Sequence, residues 1–573
     1  MALLSTISIG LRAGEPDLSG LKLDGLHHVA VGVTREGRAI PAVITNDSFD
    51  VNSKKLRLLI VGGLNGSHNT TDTTIDVMRR LYSEDEYQAL RSAIDISAVL
   101  CGNPDGYAKG VVDDNGRGSN PAVGYPPTGE YYLGAANAES QYLWRWIGML
   151  GPDVVIVLVD GPKTGTGDLN SLPKDHLVTA LKTSAAAGIG SLEAVTWNVA
   201  PGDKHPFEQV ATALPHVNEL KPLAASQKNL SPGCKELVHR SSRSPLDVCR
   251  LLANVYGRDL PSTAYIPAVA VIGRMRYGAL IGDEQMLRDA VKLTESFRSG
   301  SANPLQEKSS ASDVAGQILF AELADRTGGE AYKKLVLQAA DRAFDASGQP
   351  LEAMPGHSEM SDSTFMSCPI LAAAGRLSGD DKYFQMCVRH MHFMRKLNLR
   401  SDGLHRHSPL DETAWGRGNG FPALGLALVL TDMPENHPLR PEVLNAFRDH
   451  IKALISHQDV TGAWHQVIDH PESYREFTAT CMITFAMARA LQRGWIDDPR
   501  AADSVQRGWQ AINVRIADDG GLVDVCTGTG KMKSLREYFD RPALLGKDGR
   551  GGAMALMVAT EMAAYSTSQK AGR

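Results

Sequence analysis

Near residue 244 the hydrophobic period of this chain changes, and no single sheet or bundle accommodates both halves. Before that point, short β-rich runs alternate with helical stretches. His27–Val33, Leu56–Gly62, Ile94–Leu100 and Val154–Asp160 read as strands, and Thr71–Leu81 and Glu139–Leu150 as helices. The alternation predicts an α/β mixed-sheet domain over residues 1–224. Residues 225–243 are polar, lack apolar periodicity and read as a linker. From 244 to 573 strand signals nearly vanish. One kind of helix there carries a single apolar stripe, as in Phe384, Cys387, Val388, Met391 and Met394, or Leu444, Phe447, Ile451, Leu454 and Ile455. The other kind is apolar almost all round: Val314–Leu323, Gly420–Leu430 and Phe477–Leu491. A helix that is apolar on every side is buried on every side, so an inner ring wrapped by an outer ring is expected. Turns recur at Gly282, Gly328 and Gly379, roughly fifty residues apart, and about twelve helices fit six hairpins. The expected fold is multidomain, an α/β sheet followed by an all-α (α/α)6 toroid. The repeat alone leaves an open helical solenoid equally available.

A chain of 573 residues is too long for one ordinary core, in keeping with that division. The formal net charge of -6 gives no reason to expect nucleic-acid binding, and the longest apolar runs are too short to span a bilayer. Seven scattered cysteines without a CxxC pair read as reduced thiols, neither a disulfide frame nor a zinc cage. The first residues lack a basic leader and a small-residue cleavage site. The expected compartment is the cytoplasm, or the periplasm if a leader has been removed.

Residues that carry chemistry gather just before the buried helices of the second half. Asp313 precedes one and Asp362 the next, each followed by a similar glycine turn, at Gly328 and Gly379. Consecutive hairpins place both carboxylates at one end of the ring, and paired carboxylates serve glycosidic chemistry as proton donor and water activator. Standing alone, each reads more readily as a helix N-cap. The neighbouring segments tip the reading. DGLHRHSP (402–409), AWGRGNGF (414–421) and TGAWHQVID (461–469) crowd Trp, His and Arg between helices, where Gly, Asn and Lys are usual. Aromatic faces stack on sugar rings and Arg grips a carboxylate in a fork, so an acidic-sugar pocket is expected.

The run SDSTFMSCPILAAAGRLSGDDKYF resembles a motif of glycoside hydrolase families 88 and 105, the unsaturated glucuronyl and rhamnogalacturonyl hydrolases. HRHSPLDETAWGRGNGF, WHQVIDHPESYREFTAT and VCTGTG…REYF are similar to later motifs of the same families, in the same order, over roughly 245–565. The resemblance implies Asp362 as general acid/base with Asp313 as partner carboxylate. It places His407, Trp415, Arg417 and Trp464 in the sugar pocket, with Arg417 as carboxylate clamp. Phe421 stands where many relatives carry a second Trp, and Met360, two residues before Asp362, where an aromatic is common. The implied reaction releases a 4,5-unsaturated uronic acid from a lyase-generated oligosaccharide by hydrating its double bond, with no metal or cofactor. A hydrolase of saturated glucuronides on the same toroid and a non-catalytic carbohydrate-binding protein remain open alternatives.

In the first half, LIVGGLNGS, CGNPDGYAKG, YYLGAANAESQYLWRWI and VVIVLVDG resemble the zinc carboxypeptidase fold. That family's metal positions are held here by Asn65, His68 and Asp160. Asn is a poor zinc ligand, so a non-catalytic domain used for packing, gating or oligomerisation is expected.

Overall fold

The computed structural model describes residues 14–128, 136–184, 188–203 and 231–571. The first half is a seven-stranded mixed sheet ordered β1-β2-β4-β3-β5-β7-β6. Its strands are β1 (His27–Val33), β2 (Ala39–Ile44), β3 (Leu56–Val61), β4 (Ile94–Val99), β5 (Val154–Asp160), β6 (Gly165–Thr166) and β7 (Glu193–Val199). β4, β3, β5 and β7 run parallel, while β1, β2 and β6 join antiparallel. Because side chains alternate across a strand, β3 sends Leu59 and Val61 to one face and Leu58 and Ile60 to the other. Helix α1 (His68–Ser83) covers the second face through Val77, Met78 and Leu81, and α2 (Ala138–Leu150) covers the first through Leu143, Trp146 and Ile147. β2 carries no strand signal because Pro41 reads as a breaker. In the sheet the Pro41 carbonyl accepts Leu100 N–H at 2.9 Å, and the pairing with β1 slips between Ala30 and Val33, close to the missing donor.

The expected linker needs correction. Residues 225–230 lie outside the described residues, but Pro232–Ser242 form a helix, α3, capped by Ser231 and begun by a proline at its first turn. Its polar surface hides a short buried face, Cys234 and Leu237. Arg240 reaches both halves, donating to Gly188 O at 2.8 Å and Val514 O at 3.1 Å. The segment is a splice between the halves.

The second half forms the closed ring. The outer helices are α4 (Pro245–Ala253), α6 (Gln285–Leu293), α9 (Glu330–Ala340), α11 (Asp381–Asn398), α13 (Arg440–Ile455) and α15 (Ala501–Asn513). The inner ones are α5 (Tyr265–Ile281), the broken pair α7 (Ala311–Gly316) and α8 (Ile318–Thr327), α10 (Ser363–Ser378), α12 (Gly416–Asp432), α14 (Phe477–Gln492) and, after the short α16 (Leu535–Phe539), α17 (Gly549–Ala571). Each inner helix packs on the next, and α17 packs on α5, which closes the ring and excludes the open solenoid. Because outer helices carry the chain back, all inner helices run the same way and begin at one mouth.

The two halves share a core. One continuous apolar cluster joins Tyr142, Trp144 and Trp146 of α2 to Trp415, Val467, Tyr474, Cys526, Tyr538 and Phe539 of the ring. Buried Arg145 and Asp524 pair across the same junction at 2.7 Å.

Candidate active site

Asp362 occupies the N-cap position of α10, yet its side chain caps nothing. It is 8 % exposed, and its Oδ2 lies 3.2 Å from Nε2 of the fully buried His407. Neither atom completes a well-aligned hydrogen bond among the described residues, and Trp415 Nε1 beside them is likewise buried without an acceptor. Buried polar atoms are normally paired, so three orphans around one carboxylate mark a place kept for something else. The His407 and Trp415 rings sit 4.4 Å apart.

The sequence builds this corner by local means. Pro422, inside α12, has no N–H, which frees the Gly418 carbonyl four residues back. Ser361 Oγ donates to that carbonyl at 2.7 Å, and Ser361 N–H donates to His407 O at 2.9 Å, fixing the residue next to Asp362. A side chain at Gly416 would meet the main-chain His465 O at 2.3 Å, so that position admits only glycine, and one at Gly418 would press on Ser361 Oγ at 3.0 Å. Asn419 Oδ1 accepts His405 N–H and its Nδ2 donates to His405 O, both at 2.8 Å, which holds the strand-like segment carrying His407.

Asp313 opens the neighbouring inner helix at the same mouth, but it behaves differently. Its Oδ2 accepts Ser310 N–H at 2.8 Å and Ser310 Oγ–H at 2.9 Å, a complete capping box. Asp247 does the same for Ser244 on an outer helix, so this bonding alone gives Asp313 no distinction; its Oδ1 remains without a partner among the described residues.

Two further expectations are corrected. Trp464 does not line a pocket. It is fully buried in the helical core and donates its indole N–H to Leu454 O at 2.8 Å. Arg417 is not a fork open to a ligand. Its Nη1 donates to Cys526 O at 2.8 Å and its Nη2 to Thr527 O at 2.7 Å, and its guanidinium lies over Trp415 at 4.6 Å. Desolvation opposes the Arg417 charge, but Cys526, Glu476, Tyr265 and Asp362 outweigh it and hold the proton above the usual arginine range.

Two further residues shape the mouth without a signal in the sequence. Glu476, fully buried at the N-cap of α14, accepts Ala479 N–H at 2.5 Å and Cys526 N–H at 2.9 Å, anchoring strand β8 (Leu522–Cys526) to the ring. Tyr538 Oη lies 2.8 Å from His407 Nδ1. Both residues fell within quoted motifs, but nothing in their spacing pointed to these partners.

In the sheet half, the positions singled out do not converge. His68 stacks on Tyr107 at 3.9 Å and bonds its carbonyl, while Asp160 accepts from Asn69 at 2.9 Å. Among the described residues no three His, Cys, Asp or Glu side chains are grouped to hold a metal.

The second half is thus a closed ring of helical hairpins with an uncapped carboxylate facing an imidazole at its mouth. Residues 258–566, just over half the chain, match the model of Glycosyl Hydrolase Family 88, and the chain belongs to that family. It is 32% identical over 108 residues to an unsaturated 3S-rhamnoglycuronyl hydrolase of Alteromonas sp. (strain LOR), covering 18% of this chain and 26% of that one. It is 29% identical over 189 residues to the unsaturated rhamnogalacturonyl hydrolase YesR of Bacillus subtilis (strain 168), covering 32% of this chain and 53% of that one. The aligned part thus spans about half or less of these curated relatives. Among solved structures, a family 105 glycoside hydrolase of C. acetobutylicum ATCC 824 aligns with TM-score 0.49 and 19% identity, over 56% of this chain and 99% of that one.

Proposed function

We propose that the mouth of the toroid removes a 4,5-unsaturated uronyl residue from a lyase-generated oligosaccharide by hydrating its double bond. The observation that carries this reading is Asp362, a carboxylate placed to cap a helix that instead turns, uncapping, to His407. In this account Asp362 gives its proton to C4 of the enol ether, and positive charge develops at C5 and the ring oxygen. Water attacks C5 while the Asp362 carboxylate takes up a proton from it. The C5 hemiketal opens at the ring oxygen to a ketone and leaves a hemiacetal at C1, which collapses to an aldehyde as the aglycone departs as a free alcohol, so that one water is consumed per bond cleaved. His407 and Trp415 form the wall beside the acid. Arg417 acts from behind Trp415, holding the Thr527 loop through its carbonyl bonds. Asp313 supports the acid from the adjacent helix. The names of the aligned relatives, both unsaturated-uronyl hydrolases, support the substrate class.

The sheet half reads as a carboxypeptidase-like scaffold without that family's metal chemistry. What supports this is the place of Asn65, His68 and Asp160 at the carboxyl ends of parallel β3 and β5, where open α/β sheets bind their ligands. Asn at the first position and the spent bonds of the other two support the lack of chemistry.

The test is a panel of lyase-generated disaccharides with the full chain, following loss of ultraviolet absorbance from the double bond, beside a saturated glucuronide. Loss of absorbance on at least one disaccharide is expected. Cleavage of the saturated glucuronide alone would keep the toroid and overturn the reaction.

A further inference from the structure

We propose that the sheet domain is a working part of the catalytic centre: it holds Tyr538 through α16, and Tyr538 fixes the tautomer of His407 that faces Asp362. This rests on the reaction proposed above for what the centre does, but its geometry stands alone.

Tyr538 Oη accepts Met532 N–H at 3.3 Å and lies 2.8 Å from His407 Nδ1. Burial pushes its phenol above the ordinary tyrosine range, so the hydroxyl keeps its hydrogen. Among the described residues His407 Nδ1 is the one acceptor within reach of that hydrogen, so the hydroxyl donates to it. A neutral imidazole accepting at Nδ1 carries its own hydrogen on Nε2, the atom 3.2 Å from Asp362 Oδ2. Tyr538 thus determines that the ring turns its N–H toward the Asp362 carboxylate. With Asp362 ionised, the opposite tautomer would set two lone pairs against each other.

Tyr538 belongs to α16, five residues long and too short to hold its shape unaided. Part of its support comes from the sheet half. Arg536 Nη1 donates to Arg35 O at 2.8 Å, and Arg35 Nη1 pairs with Asp540 at 3.1 Å, both at the turn between β1 and β2. Arg475, beneath the same region, donates to Ala30 O of β1 at 3.2 Å and lies over the Trp146 ring at 4.7 Å. The Tyr538 and Phe539 rings enter the apolar cluster built by α2. The ring half adds Gln466 Nε2 to Tyr538 O at 3.2 Å, the Met532 N–H on its Oη, and Trp415, Val467, Tyr474 and Cys526 in the same apolar cluster. The charged groups around the Tyr538 phenol are Asp362, Asp411 and Glu537.

Tyr538 is therefore a positioning residue, and its test needs a readout that loosened packing would not move. The full chain is labelled with ¹⁵N-histidine, and the His407 ring signals are assigned by their loss in His407→Gln. The wild type is expected to carry the hydrogen on Nε2, and Tyr538→Phe, which keeps the ring and its packing, to show a mixture of tautomers. A wild type with the hydrogen on Nδ1, or a Tyr538→Phe spectrum unchanged, overturns the proposal whether or not any sugar is turned over. Kinetically, Tyr538→Phe is expected to lower kcat about tenfold and to move the pH profile. Arg35→Ala, in the sheet half, is expected to lower it about threefold, with the double variant no worse than Tyr538→Phe alone. Losses that multiply to about thirtyfold would break the link between the sheet domain and Tyr538. Failure of the wild type on every unsaturated disaccharide would instead sink the reaction and leave the tautomer result to decide this claim.

Discussion

Both halves of the molecule gather polar side chains where their fold concentrates them: the sheet at the carboxyl ends of parallel strands, the ring at the amino ends of inner helices. They treat those side chains differently. In the sheet, Asp160 is matched by Asn69, and His68 by Tyr107, leaving ordinary internal bonds. In the ring, Asp362 Oδ2, His407 Nε2 and Trp415 Nε1 are buried together without well-made bonds, at a cost that packing elsewhere must offset. The same contrast separates the two carboxylates of the mouth, since Asp313 caps and Asp362 does not. The comparison teaches that a reactive place is recognised by what is left unsatisfied more than by which residue types assemble there.

The largest expected effects concern stability and run in opposite directions in the two halves. Burial raises Glu139 of α2 to about 7, from 4.5. Between those values the unfolded chain ionises and the folded one does not, so stability falls as pH rises from 4.5 to 7. Burial lowers His390, behind α10, to about 4 from 6.5. There the unfolded chain binds the extra proton, so stability is lost as pH falls from 6.5 to 4. At about 1.4 kcal/mol per unit, each is worth on the order of 3 to 4 kcal/mol. Chemical unfolding of Glu139→Gln should lose the first slope and keep the second, and His390→Gln the reverse. Identical slopes in both variants would erase the distinction between the halves.

Next in size is His407→Gln, expected to lower kcat/KM about 100-fold, against less than about twofold for His68→Ala. Steady-state assays on the same disaccharide compare them directly, and equal losses would put the sheet cleft on a par with the mouth. Arg417→Lys keeps the charge but cannot reach both the Cys526 and Thr527 carbonyls. A loss of about 2 kcal/mol in transition-state stabilisation is expected, and unchanged kinetics would show that the Thr527 loop needs no such tie. The smallest change is Asp313→Asn, which weakens a capping box by about 0.5–1 kcal/mol, read as a lower melting temperature. Its turnover should survive, reduced. Complete loss of turnover would place Asp313 beside Asp362 in the chemistry.

Much of this was legible in the sequence. The strands His27–Val33 and Val154–Asp160 follow their β-rich runs to the residue, and the helices apolar on all sides became the inner ring. Asp362 and Trp415 come together at the mouth because each immediately precedes an inner helix, and His407 joins them from the segment that leads into α12. What failed had physical reasons. Trp464 is aromatic and sits between helices, but whether its ring faces the mouth or the core depends on tertiary packing. A fork such as Arg417 shows its chemistry in the sequence but not its partners, here main-chain carbonyls more than a hundred residues on. The supposed linker looked loose because α3 buries only a narrow face, and its stabilising contacts lie in both halves. Tyr538 was invisible as a neighbour of His407, 131 residues away.

The most direct test of the account is the double-bond absorbance of a lyase-generated disaccharide incubated with Asp362→Asn in the full chain, beside wild type. Asn keeps the shape of the side chain and removes the proton it must give to C4. The account predicts that the disaccharide binds, as followed by calorimetry, while its absorbance persists indefinitely. An Asp362→Asn protein that removes the absorbance at most of the wild-type rate would show that Asp362 only marks the start of a helix, and would contradict the account.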